Sequence, residues 1–132
     1  MGEALILETT FLVDLEREAL AAAPGRAHAF LEAYGDRALC ITLTTAGELA
    51  CGPRVEEQEA WRRLVTRFKV LTPDLDASWS YGQTYRYLAD NGLLIGANDL
   101  WIAAVALVHG LPLVTRAEAH FRRVPGLRVL GY

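Results

Sequence analysis

Four carboxylates in this sequence stand at places that suggest chemistry rather than solubility. Glu8 closes the apolar run "ALILE" (4–8), Glu48 follows "ITLTTAG", Asp99 opens "NDLWIAAVALVHG", and Glu118 follows "LPLVTRA". Carboxylates drawn from distant parts of a chain to one rim of a sheet are a hard-oxygen ligand set for Mg²⁺ or Mn²⁺. Such a set activates water and stabilises the charge of phosphoryl transfer, with one metal or with two spaced ~3.5–4 Å apart. Three of the acids also have a local explanation. Thr45-Ala46-Gly47-Glu48 fits the S/T-x-x-E capping box, in which the glutamate satisfies free N–H groups at a helix start. Asp99, just after a cap at Asn98, and Glu118, opening a helical turn, both suit a helix dipole. Taken singly, those explanations are the stronger ones. Glu8 has none, because it ends a buried strand, so the chemistry rests on the set and on a fold that assembles it.

The elements that would do so can be read along the chain. "ALILE" and "ALCITL" (38–43) are nearly continuous apolar runs, the mark of strands buried on both faces. Thr9 or Thr10 can cap the helix "FLVDLEREALAAA", which Pro24-Gly25 ends. A second helix covers about 26–34, and "TTAGELACG" makes a short one closed by Gly52-Pro53. Residues 54–67 are amphipathic, with Val55, Trp61, Leu64 and Val65 on the apolar side. "KVLTP" (69–73) is a short strand, and "DLDASWSYGQTYRYLADNG" a long helix with an interior glycine. Residues 98–110 form a buried helix, "LPLVTR" (111–116) a strand, "AEAHFRR" a helical turn and "LRVLGY" a final strand. Strands separated by helices predict a parallel sheet with helices on both faces, a single α/β domain over residues 1–132. In such a sheet ligands bind beyond the carboxyl ends of the strands, where the strand order reverses.

Composition narrows the function classes. The 132 residues carry a formal net charge of −3 and are 52% hydrophobic, which suits one domain with a real core. The overall acidity argues against a tight, nonspecific nucleic-acid binder, so any nucleic-acid role is local or catalytic. Lys69 is the only lysine; the remaining cations are arginines, which suit bidentate contacts with phosphate. Arg116, Arg122 and Arg123 are placed for such contacts, or for a solvated basic face. No apolar run approaches the ~20 residues of a membrane span, and the N-terminus lacks signal-peptide organisation, so a cytoplasmic address is expected. Cys40 and Cys51 are read as small buried hydrophobes, His28 and His109 lack the spaced partners of a zinc site, and His120 reads as a surface histidine beside Phe121. The aromatic series Trp79, Tyr81, Tyr85 and Tyr87 is read as core and partner surface, a groove suited to a partner's helix.

The blocks "ILETTFLVDL", "ITLTTAGELACG", "IGANDLWIAAVALVHGLPLVTR" and "HFRRVPGLRV" resemble, in that order, those of the PIN-domain ribonucleases, and among them the VapC-type toxins of bacterial toxin–antitoxin pairs. The likeness spans about residues 5 to 130. It implies a three-layer α/β/α sandwich, acids that bind Mg²⁺ or Mn²⁺ to cut RNA, a VapB-like antitoxin that blocks the site, and a homodimer. It places the family's three acids on Glu8, Glu48 and Asp99, as metal ligands and catalytic groups. Thr10 takes the place of the hydroxyl after the first acid, Thr115 and Arg116 match the end of the fourth strand, and Asn98, Glu118 and His120 support the site.

Two positions depart from the resemblance. The first acid is ordinarily aspartate, and Glu8 is one methylene longer; the residue after Thr-Arg is commonly asparagine or aspartate, and here it is Ala117, which coordinates nothing. Catalytic constellations tolerate displacements of about half an ångström, so the longer acid predicts slower chemistry, with Glu118 a partial substitute if it points inward. A PIN-fold protein that acts only by binding a partner or RNA is the second reading. A phosphoryl-accepting receiver domain comes last: it needs a lysine near the phosphate, and Lys69 precedes a strand. Neither G-x-G-x-x-G nor a P-loop is present.

Overall fold

In the first strand, Leu5 and Leu7 face one core cluster and Ile6 faces the other, and all three are fully buried. The same alternation divides Cys40 from Ile41 and Leu113 from Val114. A sheet buried on both faces needs a helical layer on each. The computed structural model, which describes residues 2–132, supplies both layers. Its elements are β1 (Leu5–Leu7), α1 (Thr9–Leu20), α2 (Arg26–Tyr34), β2 (Leu39–Thr42), α3 (Leu43–Leu49), a 3-10 turn (Val55–Glu57), α4 (Gln58–Val65), β3 (Lys69–Leu71), α5 (Leu75–Asp90), α6 (Ala97–His109), β4 (Leu113–Val114), α7 (Glu118–Phe121) and β5 (Val129–Leu130). One cluster joins Phe11, Leu12, Ala27, Phe30 and Val65 from α1, α2 and α4; the other joins Leu88, Leu100, Ile102, Val105 and Phe121 from α5, α6 and α7.

The five strands are all parallel, in the order β3-β2-β1-β4-β5. The chain winds from β1 outward through β2 to β3, then returns to lay β4 and β5 on the other side. The order therefore reverses between β1 and β4, and the carboxyl ends of such a pair are where open parallel sheets bind ligands. Ile6 pairs with Leu113 and Leu7 with Val114, so Glu8 is the first residue past the paired part of β1. Its N–H donates to the Val114 carbonyl at 2.9 Å, which fixes it beside Thr115.

Helix termini differ from the sequence expectation in three informative places. The N-cap of α1 is Glu8, which accepts from the Thr10 N–H; neither Thr9 nor Thr10 caps it. The cap of α3 is Thr42, accepting from the Thr45 N–H, so Glu48 forms no capping box with Thr45. The cap of α6 is Gly96 with no side-chain bond, and Asn98 lies inside the helix. At the other end of α6, Gly110 takes φ 62°, a left-handed turn that glycine adopts without a Cβ penalty. It lets the chain reverse directly into β4.

Other expectations are also corrected. Cys40 is buried, but Cys51 is exposed. Val55 is 89% exposed in the 3-10 turn, while Trp61 and Val65 pack inward from α4. The aromatic series on α5 divides between packed and exposed positions, in keeping with its reading as core and surface: Tyr81 packs against Trp101 with ring centroids 4.4 Å apart, and Trp79 stands 71% exposed. A groove lies elsewhere, between α1, α2 and α4, where Leu12, Leu15, Leu31 and Leu64 line a concavity of about 320 Å³. No helix among the described residues is long and apolar enough to cross a membrane.

Candidate active site

The rim past β1 and β4 is organised by threonines. Glu8 is 3% exposed, and three donors hold its carboxylate. The Thr10 N–H reaches Oε2 at 3.2 Å, the Thr10 hydroxyl reaches Oε1 at 2.7 Å, and the Thr115 hydroxyl reaches the same oxygen at 2.5 Å. Each hydroxyl has one proton, and both protons go to Glu8. Their lone pairs then accept from the main chain: Arg116 N–H donates to Thr10 Oγ1 and Ala117 N–H to Thr115 Oγ1, both at 3.0 Å. The bonds run in one direction, from the backbone after β4 through two hydroxyls to one acid. Ala117 thus contributes through its amide, which needs no particular side chain.

A second acid sits beside the first through the adjacent residue. The Thr9 hydroxyl donates to Glu48 Oε1 at 2.6 Å, and its oxygen lies 3.0 Å from that of the buried Thr45. Asn98 Nδ2 reaches Glu48 Oε2 at 3.5 Å, bringing the first turn of α6 to the same place. Asp99, the next residue, has His120 Nε2 2.8 Å from its Oδ2. Consecutive residues therefore tie the set together: Thr9 and Thr10 serve Glu48 and Glu8, and Asn98 and Asp99 connect Glu48 to His120.

The sequence-derived residues divide accordingly. Glu8, Thr10, Thr115 and the Arg116 amide form one connected group, Glu48 and Asn98 a second, and Asp99 and His120 a third along the same rim. His120 is thus a partner of an acid rather than an isolated surface histidine. Glu118 does not point inward: it pairs with Arg122 at 2.6 Å on α7 and packs over Gly131. Thr9 is a site residue that local reading assigns only to capping; its one signal is its position after a buried strand. Asp14 and Tyr132 carry no such signal. Asp14 Oδ1 accepts from Arg116 Nη1 at 2.7 Å and its Oδ2 from the Tyr132 hydroxyl at 2.6 Å.

The donor chemistry, carboxylate oxygens with two of the three acids partly exposed, suits a hard divalent cation. In this arrangement the acids do not close tightly: among the described residues no three His, Cys, Asp or Glu side chains form a group able to hold a metal ion. Glu48 and Asp99 present their oxygens at the rim, whereas Glu8 turns its own back onto its helix cap and the two threonines.

Residues 5–127 match the PIN domain family. The chain belongs to that family. This PIN domain is 31% identical over 102 residues to Ribonuclease VapC1 of Methanocaldococcus jannaschii, covering 75% of this chain and 74% of that protein. It is 34% identical over 98 residues to the tRNA(fMet)-specific endonuclease VapC of Salmonella typhimurium, covering 69% and 73%. The fold superimposes on a chain of the DNA-bound VapBC structure from Salmonella typhimurium with a TM-score of 0.83, 25% identity and 98% coverage of each chain. The three-layer parallel sandwich is thus the architecture of this PIN domain as well as of its relatives.

Proposed function

We propose that this PIN domain is a VapC-type endoribonuclease, the toxin of a toxin–antitoxin pair, and that it hydrolyses RNA phosphodiester bonds at the rim marked by Glu8, Glu48 and Asp99. The observation that carries this reading is the buried carboxylate of Glu8 at the end of β1, where the strand order reverses. Glu48 of α3 is linked to it through the consecutive residues Thr9 and Thr10, and Asp99 of α6 is next to the Asn98 that reaches Glu48. The ribonuclease activity named for the two relatives supports the substrate class. The VapBC assembly of the structural neighbour supports a VapB-like antitoxin as partner.

Glu48 and Asp99 suit a divalent cation in donor type and exposure, and Glu8 in charge and place. With Mg²⁺ or Mn²⁺ held by these acids, the ion supplies a water of lowered pKa and neutralises charge on the phosphoryl oxygens. The protein's own part is orientation. Thr9 and Asn98 fix the Glu48 carboxylate, His120 holds Asp99, and the two threonine hydroxyls keep Glu8 at the rim without cancelling its charge. The groove between α1, α2 and α4 offers an antitoxin helix an apolar bed. Leu75 and Trp79, 87% and 71% exposed and one turn apart on α5, supply apolar surface for a homodimer. The expected place of action is the cytoplasm, where RNA and antitoxin are met.

The test is cleavage of RNA by the purified protein in Mg²⁺ or Mn²⁺, set against Asp99→Asn and against excess chelator. Loss of a metal-facing acid is expected to slow cleavage by at least about a hundredfold with folding intact. Equal rates for both proteins would remove the assignment.

A further inference from the structure

We propose that Arg116 is the phosphate-contacting cation of the cleavage site and that Asp14 and Tyr132 are the positioning residues that hold it there. The inference rests on the ribonuclease reading and adds residues that it does not require. An acidic rim that receives an anionic RNA backbone needs a cation of the protein's own beside it. Of the arginines that follow β4, Arg122 pairs with Glu118 at 2.6 Å and Arg123 donates to the Leu94 carbonyl at 3.2 Å. Arg116 is differently placed. Its main-chain N–H bonds to the Thr10 hydroxyl that holds Glu8, so its backbone is one side chain removed from the first acid. Its side chain remains 55% exposed even though Nη1 is paired with Asp14.

The support behind that pair is unusual for a surface contact. Asp14 stands one helical turn after Thr10 on α1 and is 18% exposed, with each of its oxygens bonded to a different partner. The Tyr132 hydroxyl that fills Oδ2 belongs to a ring packed edge-on against buried Phe11, with centroids 4.9 Å apart. Burial, and then the hydrogen bond to Asp14, push the Tyr132 phenol well above its ordinary range, so it stays a donor. An isolated exposed ion pair contributes little stability, because ordering a long side chain costs what the attraction returns. A pair buttressed by an aromatic residue rooted in the core instead fixes the direction of the guanidinium before any ligand arrives. That preorganisation lowers the cost of binding a phosphate.

The experiment combines steady-state RNA cleavage with binding of a fluorescein-labelled single-stranded RNA, the binding followed by anisotropy across a salt series in an Asp99→Asn background. Arg116→Ala is expected to raise KM roughly ten- to hundredfold with kcat little changed. It should also flatten the slope of log affinity against log salt by about 0.7, one phosphate contact on a single strand. Tyr132→Phe keeps the ring packing and removes only the hydroxyl. It and Asp14→Asn should raise KM by about two- to tenfold, the cost of immobilising one long side chain, with the salt slope retained because the cation remains. If Asp14→Asn fails to fold, Tyr132→Phe carries the test alone. Unchanged KM and salt slope in Arg116→Ala, with cleavage by the unsubstituted protein intact, would overturn the proposal and leave the ribonuclease reading standing. Tighter RNA binding by Asp14→Asn would overturn it too, since Asp14 would then be masking the cation. An unsubstituted protein that neither binds nor cuts RNA would remove both readings together.

Discussion

The two edges of the sheet treat their carboxylates in opposite ways. At the amino edge, Glu3 is gripped by both terminal nitrogens of Arg128, at 2.5 and 2.8 Å, and Arg128 also donates to the Gly110 carbonyl. The guanidinium holds the Glu3 carboxyl below its ordinary range and is itself raised by it. At the carboxyl edge, Glu8 and Glu48 are held by threonine hydroxyls, an amide N–H and an asparagine side chain, all of them neutral. A carboxylate bonded to an arginine has its charge cancelled and serves as a clasp between strands. A carboxylate bonded to neutral donors is just as well oriented but still attracts a cation. The amino edge thus clasps its acid, whereas at the carboxyl edge Glu8 and Glu48 keep their charge where the strand order reverses, beside Asp99 on His120 and the Asp14–Arg116 pair.

Substitutions can break or sharpen that contrast. The largest effect is expected from Thr115→Val, which keeps the volume but takes one hydroxyl donor from Glu8 and the acceptor from the Ala117 N–H. RNA cleavage should fall roughly tenfold or more, and chemical denaturation should show a loss of about 1–3 kcal/mol. A stability loss without any loss of cleavage would mean that Glu8 serves only as a helix cap. Glu3→Gln should do the reverse on a smaller scale, lowering the melting temperature slightly while leaving cleavage unchanged. A drop in cleavage there would erase the distinction between the edges.

The smallest effect concerns Glu18, which accepts from the main-chain N–H groups of Gly25, Ala27 and His28 and lies 2.7 Å from His28 Nδ1. Desolvation pushes its carboxyl upward, but these bonds outweigh it and hold the group at about 2 against an ordinary 4.5. A lowered carboxyl stabilises the fold above the unfolded value. That contribution is full above pH 4.5 and fades as the pH falls towards 2. Glu18→Gln should therefore melt below the unsubstituted protein at neutral pH, with the gap closing across that window. A gap that stayed constant down to pH 2 would show the clasp to be uncharged in its effect. Glu18 also limits the comparison, since main-chain donors around a lone acid make a helix clasp, and a site needs several acids together.

Much of this was legible in the sequence, and the reasons for the rest are physical. Continuous apolar runs such as Leu5–Leu7 announced buried strands, and their alternation with helices announced a parallel sheet. Glu8 stood out as a carboxylate ending a buried strand, and the structure adds the local role that the sequence pattern assigned to Thr9 or Thr10, the N-cap of α1. What local patterns misassigned were the hydroxyls. Thr9, Thr10 and Thr45 all have good capping chemistry, yet other partners win: Thr9 bonds across the fold to Glu48, Thr10 bonds to Glu8 two residues before it, and Thr42 takes over the cap of α3. The same competition displaced Asn98 from its expected cap towards Glu48. Contacts set by register were out of reach. Glu8 and Thr115 are 107 positions apart, and Asp14 and Tyr132 are 118 apart. No period in the sequence pairs such residues; only the placement of β4 against β1, and of β5 against β4, does.

The central claim is that the carboxyl edge, and not the amino edge, is the cation-binding rim. Calorimetric titration of Mn²⁺ into the unsubstituted protein, into the Glu48→Gln, Asp99→Asn double variant and into Glu3→Gln tests it most directly. Saturable heat is expected from the unsubstituted protein and from Glu3→Gln, and none from the double variant. Equal heats in all three would contradict the account.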